Sequence, residues 1–238
     1  SRTDWSNGRT RRGTTVLMSK KNLNIKEFLN IRLVLDRSGS MASCREITID
    51  SINSFLEEQR KNSVDGALTI SLFDNRSIDV PINSIPVSKV EKLNYDFLQP
   101  RGSTPLLDAI GLAINELDNY RIKENEKKVL VIVTDGLENA SREYDSKAVK
   151  ALIEEKTEQG WLVIYLGADH DAILQSERFG FQYDKSLHYA KEDSIDAFKS
   201  VSRTVDDFSK GTNSKLIGFY ENERMLSNKK MFRREEEE

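Results

Sequence analysis

Blocks of hydrophobic and polar residues alternate along the chain and predict strands and helices in turn. The run "NIRLVLD" (30–36) predicts a buried strand, and a helical pattern follows it over about 41–61. Helices are also predicted from Thr104-Pro105 to Leu117 and over about 145–158, 170–178 and 193–208, and strands over 67–73, 77–82, 129–136, 161–169 and 187–190. The pattern shows neither an internal repeat nor a second domain.

Several strands are apolar on both faces, as "VLVIV" (129–133) and "WLVIYL" (161–166) illustrate. Such strands, separated by helices, are typical of a parallel sheet that is covered on both sides. Pro81 cannot donate to a strand ladder, so the second strand of the hairpin around "DNR" should lie at an edge. The predicted fold is a doubly wound α/β domain with a mostly parallel central sheet, one antiparallel edge strand and helices on both faces.

The two ends of the chain differ from its middle. Residues 1–17 are rich in arginine and show no periodicity, and Met18 followed by "SKKN" resembles a natural start. We expect residues 1–17 to be a disordered leader or an expression-derived segment, residues 18–221 to form the domain, and residues 222–238 to be a charged tail.

Composition narrows the class of protein further. The chain is 37% apolar and 32% charged with a net charge of −3, which gives no general reason to expect nucleic-acid binding. The apolar runs are too short to cross a membrane, and no export signal is present at the start. A single cysteine, Cys44, suits a reducing compartment, so a cytoplasmic location is predicted. The helical spacing of Cys44 with Thr48, Ile52 and Phe55 indicates a buried core thiol.

Short oxygen-bearing side chains follow the predicted strands. Asp36 ends the first strand and Asp135 follows "VLVIVT", so both should lie at the carboxyl edge, the edge of the sheet where the parallel strands end. Thr104 is predicted to cap a helix that starts with Pro105. Oxygen ligands suit hard divalent cations, so the sequence predicts a Mg²⁺ site, with Mn²⁺ or Ca²⁺ as alternatives. Its ligands would be Asp36, Ser38, Ser40, Thr104 and Asp135.

Helix N-termini at this edge should disfavour the cation and favour an anion that completes its shell. The two carboxylates are therefore needed to retain the metal. Gly39 is expected to let the backbone bend around it without a Cβ clash.

Three segments carry a resemblance to a known family. "DRSGSM" resembles the Asp-x-Ser-x-Ser motif of von Willebrand factor A (VWA) domains, "GSTPL" their threonine loop and "VTDG" their second aspartate. The order of elements from about 28 to 210 is also similar to that fold, and "LGADHDA" (166–172) looks like a junction in stand-alone bacterial or phage members. The resemblance implies a metal-ion-dependent adhesion site in which Ser38, Ser40 and Thr104 contact the metal directly or through water, while Asp36 and Asp135 act mostly through water.

The function that this resemblance implies is binding without catalysis. A partner protein would complete the metal with an Asp or Glu carboxylate, and the chain alone would be monomeric. The alternative is a phosphatase or phosphotransferase of the haloacid dehalogenase type with Asp36 as nucleophile, although Ser38 replaces that class's second acid. Neither a dinucleotide-binding glycine motif nor a serine-histidine-aspartate arrangement is present, and His170 is expected to begin a surface helix.

Overall fold

The computed structural model describes residues 26–168 and 170–224. Within them the elements follow the predicted order. The strands are β1 (Leu29–Asp36), β2 (Gly66–Phe73), β3 (Ile78–Pro86), β4 (Lys127–Thr134), β5 (Leu162–Gly167) and β6 (Ser186–His188). The helices are α1 (Arg45–Lys61), α2 (Leu106–Asn119), α3 (Ser146–Glu158), α4 (His170–Arg178) and α5 (Ser194–Ser209).

The described strands form one six-stranded sheet in the order β3-β2-β1-β4-β5-β6. Only the β2–β3 pair is antiparallel, so β3, which contains Pro81, is an antiparallel edge strand as predicted. Strand β1 lies between β2 and β4, with Leu35 opposite Val133. The ends of β1 and β4 therefore meet at the carboxyl edge, and this register brings Asp36 and Asp135 close together.

The sheet separates two hydrophobic cores. One contains Leu33 and Leu35 of β1 and is covered by α1 and α5. The other contains Val34 of β1 and is covered by α2 and α3. Cys44 is 5% exposed and belongs to the first core, as the helical spacing predicted, and its burial raises the pKa of the thiol.

Strand β1 is less apolar than a doubly covered strand usually is. Arg32 is buried, and its guanidinium donates to Ser71 Oγ at 3.0 Å and to Glu116 Oε2 of α2 at 2.5 Å. The charge of Arg32 is thus paired with a carboxylate from the helix that covers it, and this pairing reduces the cost of its burial.

Some boundaries differ from the prediction. The helix predicted over 41–61 begins as a 3-10 segment, Gly39–Cys44, and becomes α-helical only at Arg45. Strand β3 reaches Pro86, beyond its predicted end at residue 82, and β4 ends at Thr134, so that Asp135 follows it.

The predicted tails lie almost entirely outside the described residues. The exception is the start of the C-terminal tail, where Glu223 accepts hydrogen bonds from Arg203 at 2.8 and 3.0 Å. Across the described helices, none has both the length and the apolar character needed to cross a membrane.

Candidate metal site

Asp36 lies at the centre of the candidate site. Its carboxylate is fully buried; Oδ1 accepts from the Ser38 backbone N–H at 2.7 Å and Oδ2 accepts from Thr134 Oγ1 at 2.6 Å. Burial raises the pKa of Asp36 to about 6, although the hydrogen bonds from Thr134 and Ser38 act in the opposite direction. Its negative charge is therefore held in a recess where a cation would stabilise it.

Hydrogen bonds link three of the other predicted ligands, Ser38, Ser40 and Asp135. The hydroxyl oxygens of Ser38 and Ser40 lie 3.1 Å apart, and Ser40 Oγ donates to Asp135 Oδ1 at 2.6 Å. Ser38 and Asp135 are buried, whereas Ser40 is exposed. The site therefore runs from a buried carboxylate to an exposed hydroxyl.

Gly136 leaves a small space between the predicted ligands. A Cβ atom added there would lie 3.2 Å from Thr104 Oγ1, 3.6 Å from Ser40 Oγ and 3.7 Å from Asp36 Oδ2. Three oxygen atoms from two segments of the chain, the end of β1 with its following loop and the loop before α2, thus converge around one point that a side chain at position 136 would fill. We call this space the Gly136 cradle.

Thr104 does not cap α2, which corrects the prediction. The helix begins at Leu106 after Pro105, and its first N–H groups are accepted by side chains of the loop after Asp135. Glu138 Oε2 accepts from Leu107 N at 2.9 Å, and Ser141 Oγ accepts from Asp108 N at 3.0 Å. The Thr104 hydroxyl is therefore directed at the site, and a carboxylate already occupies the α2 N-terminus that was expected to favour an incoming anion.

Asp74 links the loop after β1, which carries Ser38 and Ser40, to the loop before α2, which carries Thr104. Its Oδ2 accepts from Arg37 Nε and from Arg101 Nε, each at 2.8 Å, and Arg101 N also donates to the Arg37 carbonyl at 2.8 Å. Burial acts to raise the pKa of Asp74, but the hydrogen bonds from Arg101 and from neighbouring backbone groups hold it below its ordinary value. We call these three residues the Asp74 clamp.

The glycine that the backbone requires is Gly102 rather than Gly39. Gly102 has a φ of +70°, and a Cβ there would lie 2.0 Å from Asn75 Oδ1, the atom that accepts from Ser103 N at 2.9 Å. Gly39 lacks a positive φ, and its nearest contact for an added Cβ would be 3.5 Å. The expected role of Gly39 was therefore wrong.

The residues present fit a hard divalent cation in their chemistry. Two carboxylates and three hydroxyls are all oxygen donors, and Mg²⁺ keeps several waters alongside such ligands. Within the described part of the chain no group of three or more His, Cys, Asp or Glu side chains is arranged to hold a metal ion. A metal at the carboxyl edge would thus depend on the hydroxyls and on water as well as on Asp36 and Asp135.

The sequence interpretation missed three residues that shape the site. Thr134 binds Asp36, Gly136 leaves the cradle open, and Lys191 Nζ lies 2.9 Å from Asp135 Oδ2. Thr134 and Gly136 flank Asp135 in "VTDG", and Lys191 follows the short predicted strand 187–190. Their positions next to strand ends were the available signal. Of the "LGADHDA" segment, Asp169 lies outside the described residues, and α4 begins at His170 as expected.

Comparison with known proteins identifies the fold. No protein-family model matches the chain, and no curated protein matches it either. Solved structures do match. The VWA domain of SpRpn10 is 14% identical with a TM-score of 0.54, and the match covers 73% of this chain and 95% of that one. The manganese-loaded TRAP protein of Plasmodium vivax is 16% identical with a TM-score of 0.55, over 75% of this chain and 74% of that one.

Proximal thread matrix protein 1 from the mussel byssus is also similar, at 12% identity and a TM-score of 0.59. That match covers 76% of this chain but only 47% of the mussel protein, so the chain spans about half of its length. At such identities the likeness establishes the fold. The protein has the von Willebrand factor A fold that its sequence predicted, with the Rossmann-like sheet described above.

Proposed function

We propose that this protein is a divalent-metal-dependent protein-binding module. The observation that carries the proposal is the Gly136 cradle, because oxygen atoms of Asp36 and Ser40 converge there with that of Thr104, which comes from a distant segment of the chain. Ser38 and Asp135 are joined to the same group through hydrogen bonds to Ser40. The manganese-loaded neighbour of the same fold supports a divalent ion in such a domain.

The proposed roles of the residues follow from their burial and chemistry. Asp36 and Asp135 supply the negative charge, and Ser38, Ser40 and Thr104 supply neutral oxygens. The bound ion, Mg²⁺ in this proposal, offers a coordination position to an Asp or Glu carboxylate of a partner protein. Because Ser40 is the exposed member of the site, we expect the partner to approach from its side.

The surroundings of Asp36 disfavour the phosphatase alternative. A nucleophilic carboxylate must reach an incoming phosphorus atom, but both Asp36 oxygens accept hydrogen bonds and the side chain is fully buried. We expect no Mg²⁺-dependent release of phosphate from an aryl phosphate. Turnover that is lost in Asp36→Asn would favour the enzyme instead.

The binding proposal is tested by affinity capture in Mg²⁺ and in EDTA, followed by identification of the retained proteins. Chelation, Asp36→Ala and the double change Ser38→Ala with Ser40→Ala should each abolish capture of the same partner. Replacing one partner Asp or Glu by its amide should weaken binding as severely as chelation does. A partner that stays bound in EDTA and to Asp36→Ala would show that the interface lies elsewhere.

A further inference from the structure

Lys191 places a positive charge of the protein itself beside the candidate metal site. It begins the 3-10 segment Lys191–Asp193, between β6 and α5. Its Nζ donates to Asp135 Oδ2 at 2.9 Å and to Ser43 Oγ at 2.7 Å. The other carboxylate oxygen of Asp135, Oδ1, accepts from Ser40. The Asp135 carboxylate therefore binds Ser40, a predicted metal ligand, through one oxygen and the Lys191 ammonium through the other.

The two partners of this ion pair differ in their freedom to separate. The Asp135 side chain is 1% exposed, whereas that of Lys191 is 33% exposed. Asp135 is fixed directly after β4, while the ammonium ends a flexible stem that reaches the surface. If the pair separates, Lys191 can enter water but Asp135 cannot. Separation without a replacement cation would leave a buried carboxylate poorly compensated.

We propose that Lys191 is an internal competitor of the divalent cation for Asp135. The lysine neutralises Asp135, and metal binding displaces its ammonium from Asp135 Oδ2. This inference rests on the proposed function, since it assigns a residue that sets the affinity of that same site. Its consequence is that the site fills only at cation concentrations high enough to overcome the lysine.

The affinity for Mn²⁺ alone tests this role, by calorimetric titration of the full chain after removal of metal with chelator. Lys191→Met keeps the length of the side chain and removes its charge, and we expect it to bind Mn²⁺ about tenfold more tightly because a like charge beside the ion is lost. Lys191→Arg keeps the charge and should bind no more tightly than wild type. Lys199→Met is a matched control on α5, where Lys199 pairs only with exposed Asp196 among the salt bridges of the described residues.

A second measurement follows the ammonium in the wild-type protein. Acylation of lysine amines, quantified by mass spectrometry, should label Lys191 severalfold faster in saturating Mn²⁺ than in EDTA, while Lys199 labelling stays unchanged. Because this measurement uses only the wild-type protein, it does not depend on the folding of a variant.

The outcomes separate this inference from the proposed function. If wild type binds Mn²⁺ but Lys191→Met binds it no more tightly, or if Lys191 labelling does not rise, the competitor role is overturned and the metal site stands. If neither wild type nor Lys191→Met binds Mn²⁺, both proposals fail. Tighter binding by Lys191→Met together with faster labelling of Lys191 supports the inference.

Discussion

At the scale of single residues, the buried carboxylate of Asp36 links the candidate site to stability. Burial raises the pKa of this carboxyl from its ordinary value of 3.8 to about 6 in the folded protein. The folded state therefore binds the proton more tightly, so stability is lost as pH rises between these values. Ionised Asp36 should cost about 3 kcal/mol above pH 6 in the absence of a cation, and nothing near pH 3.

Asp36→Asn removes this cost while it keeps the side-chain shape. In EDTA at pH 7.5 the variant should unfold with a free energy about 2 kcal/mol higher than wild type, and near pH 4 the two should be nearly equal. Denaturant titrations at both pH values measure the difference. A variant that is less stable than wild type at pH 7.5 would mean that the ionised Asp36 carboxylate does not destabilise the folded protein.

Two glycines at the site give a matched pair of substitutions. Gly136→Ala places a methyl group in the Gly136 cradle, 3.2 Å from Thr104 Oγ1, and should lower Mn²⁺ affinity at least tenfold with a stability change below about 1 kcal/mol in EDTA. Gly39→Ala meets no atom closer than 3.5 Å and should bind Mn²⁺ normally. Equal Mn²⁺ affinities in the two variants, measured by calorimetry, would show that the Gly136 cradle is not part of the metal site.

The chemistry of single residues could be predicted only in part. Asp36 ends a strand, and Ser38 and Ser40 follow it in sequence, so their shared position was predictable from the strand pattern. The roles of Gly136 and Lys191 were not, because they depend on distances between segments that only the register of the sheet fixes. A glycine that leaves space open and a lysine that pairs with a distant carboxylate have no local pattern.

At the scale of elements, the Asp74 clamp fixes the loop after β1 against the loop before α2. Asp74→Ala removes the buried carboxylate that the two arginines share and leaves them only half-exposed Asp79, so the free energy of unfolding should fall by about 2 kcal/mol. Mn²⁺ affinity should fall as well, because the hydroxyls at 38 and 104 lose their common anchor. Asp65→Ala, which breaks an exposed pair with Lys123, is the control and should change stability by less than about 1 kcal/mol.

Denaturant titration and calorimetry of both variants test this role. An Asp74→Ala protein as stable as Asp65→Ala would show that the clamp does not hold the loops.

Element types were more predictable than element ends. The core positions of α2 follow from their helical spacing, and Ile110, Ile114 and Leu117 are buried as expected. The predicted start of α2 was wrong because the groups that accept from its first N–H groups, Glu138 and Ser141, come from a loop about thirty residues away. Thr104 next to a proline has the local pattern of a cap, but long-range hydrogen bonds overrode it.

At the scale of the whole molecule, the C-terminal boundary of the domain can be tested. The bidentate pair between Arg203 and Glu223 is partly buried, with 27% and 17% of the side chains exposed. We expect a chain that ends at residue 224 to be as stable as the full chain. A chain that ends at 221 should lose about 1 kcal/mol. Equal thermal and denaturant stability of the two truncated chains would place the boundary at the predicted residue 221.

The global fold was the most predictable property of this chain. Alternating apolar strands and helices indicate a doubly wound sheet, and Pro81 assigns the edge strand, because these patterns follow from burial and backbone hydrogen bonding. Polar residues inside the sheet, such as Arg32, were not anticipated, since their partner Glu116 comes from a different element.

The central claim is that the carboxyl edge binds a divalent cation, and anomalous diffraction from crystals grown with Mn²⁺ tests it most directly. The claim predicts a single strong anomalous peak enclosed by Asp36, Ser38, Ser40, Thr104 and Asp135, with its nearest oxygen atoms at roughly 2.2 Å. Crystals of Gly136→Ala grown in the same way should show a weaker peak. A wild-type map without a peak at this position, at a Mn²⁺ concentration that saturates binding in solution, would contradict the claim.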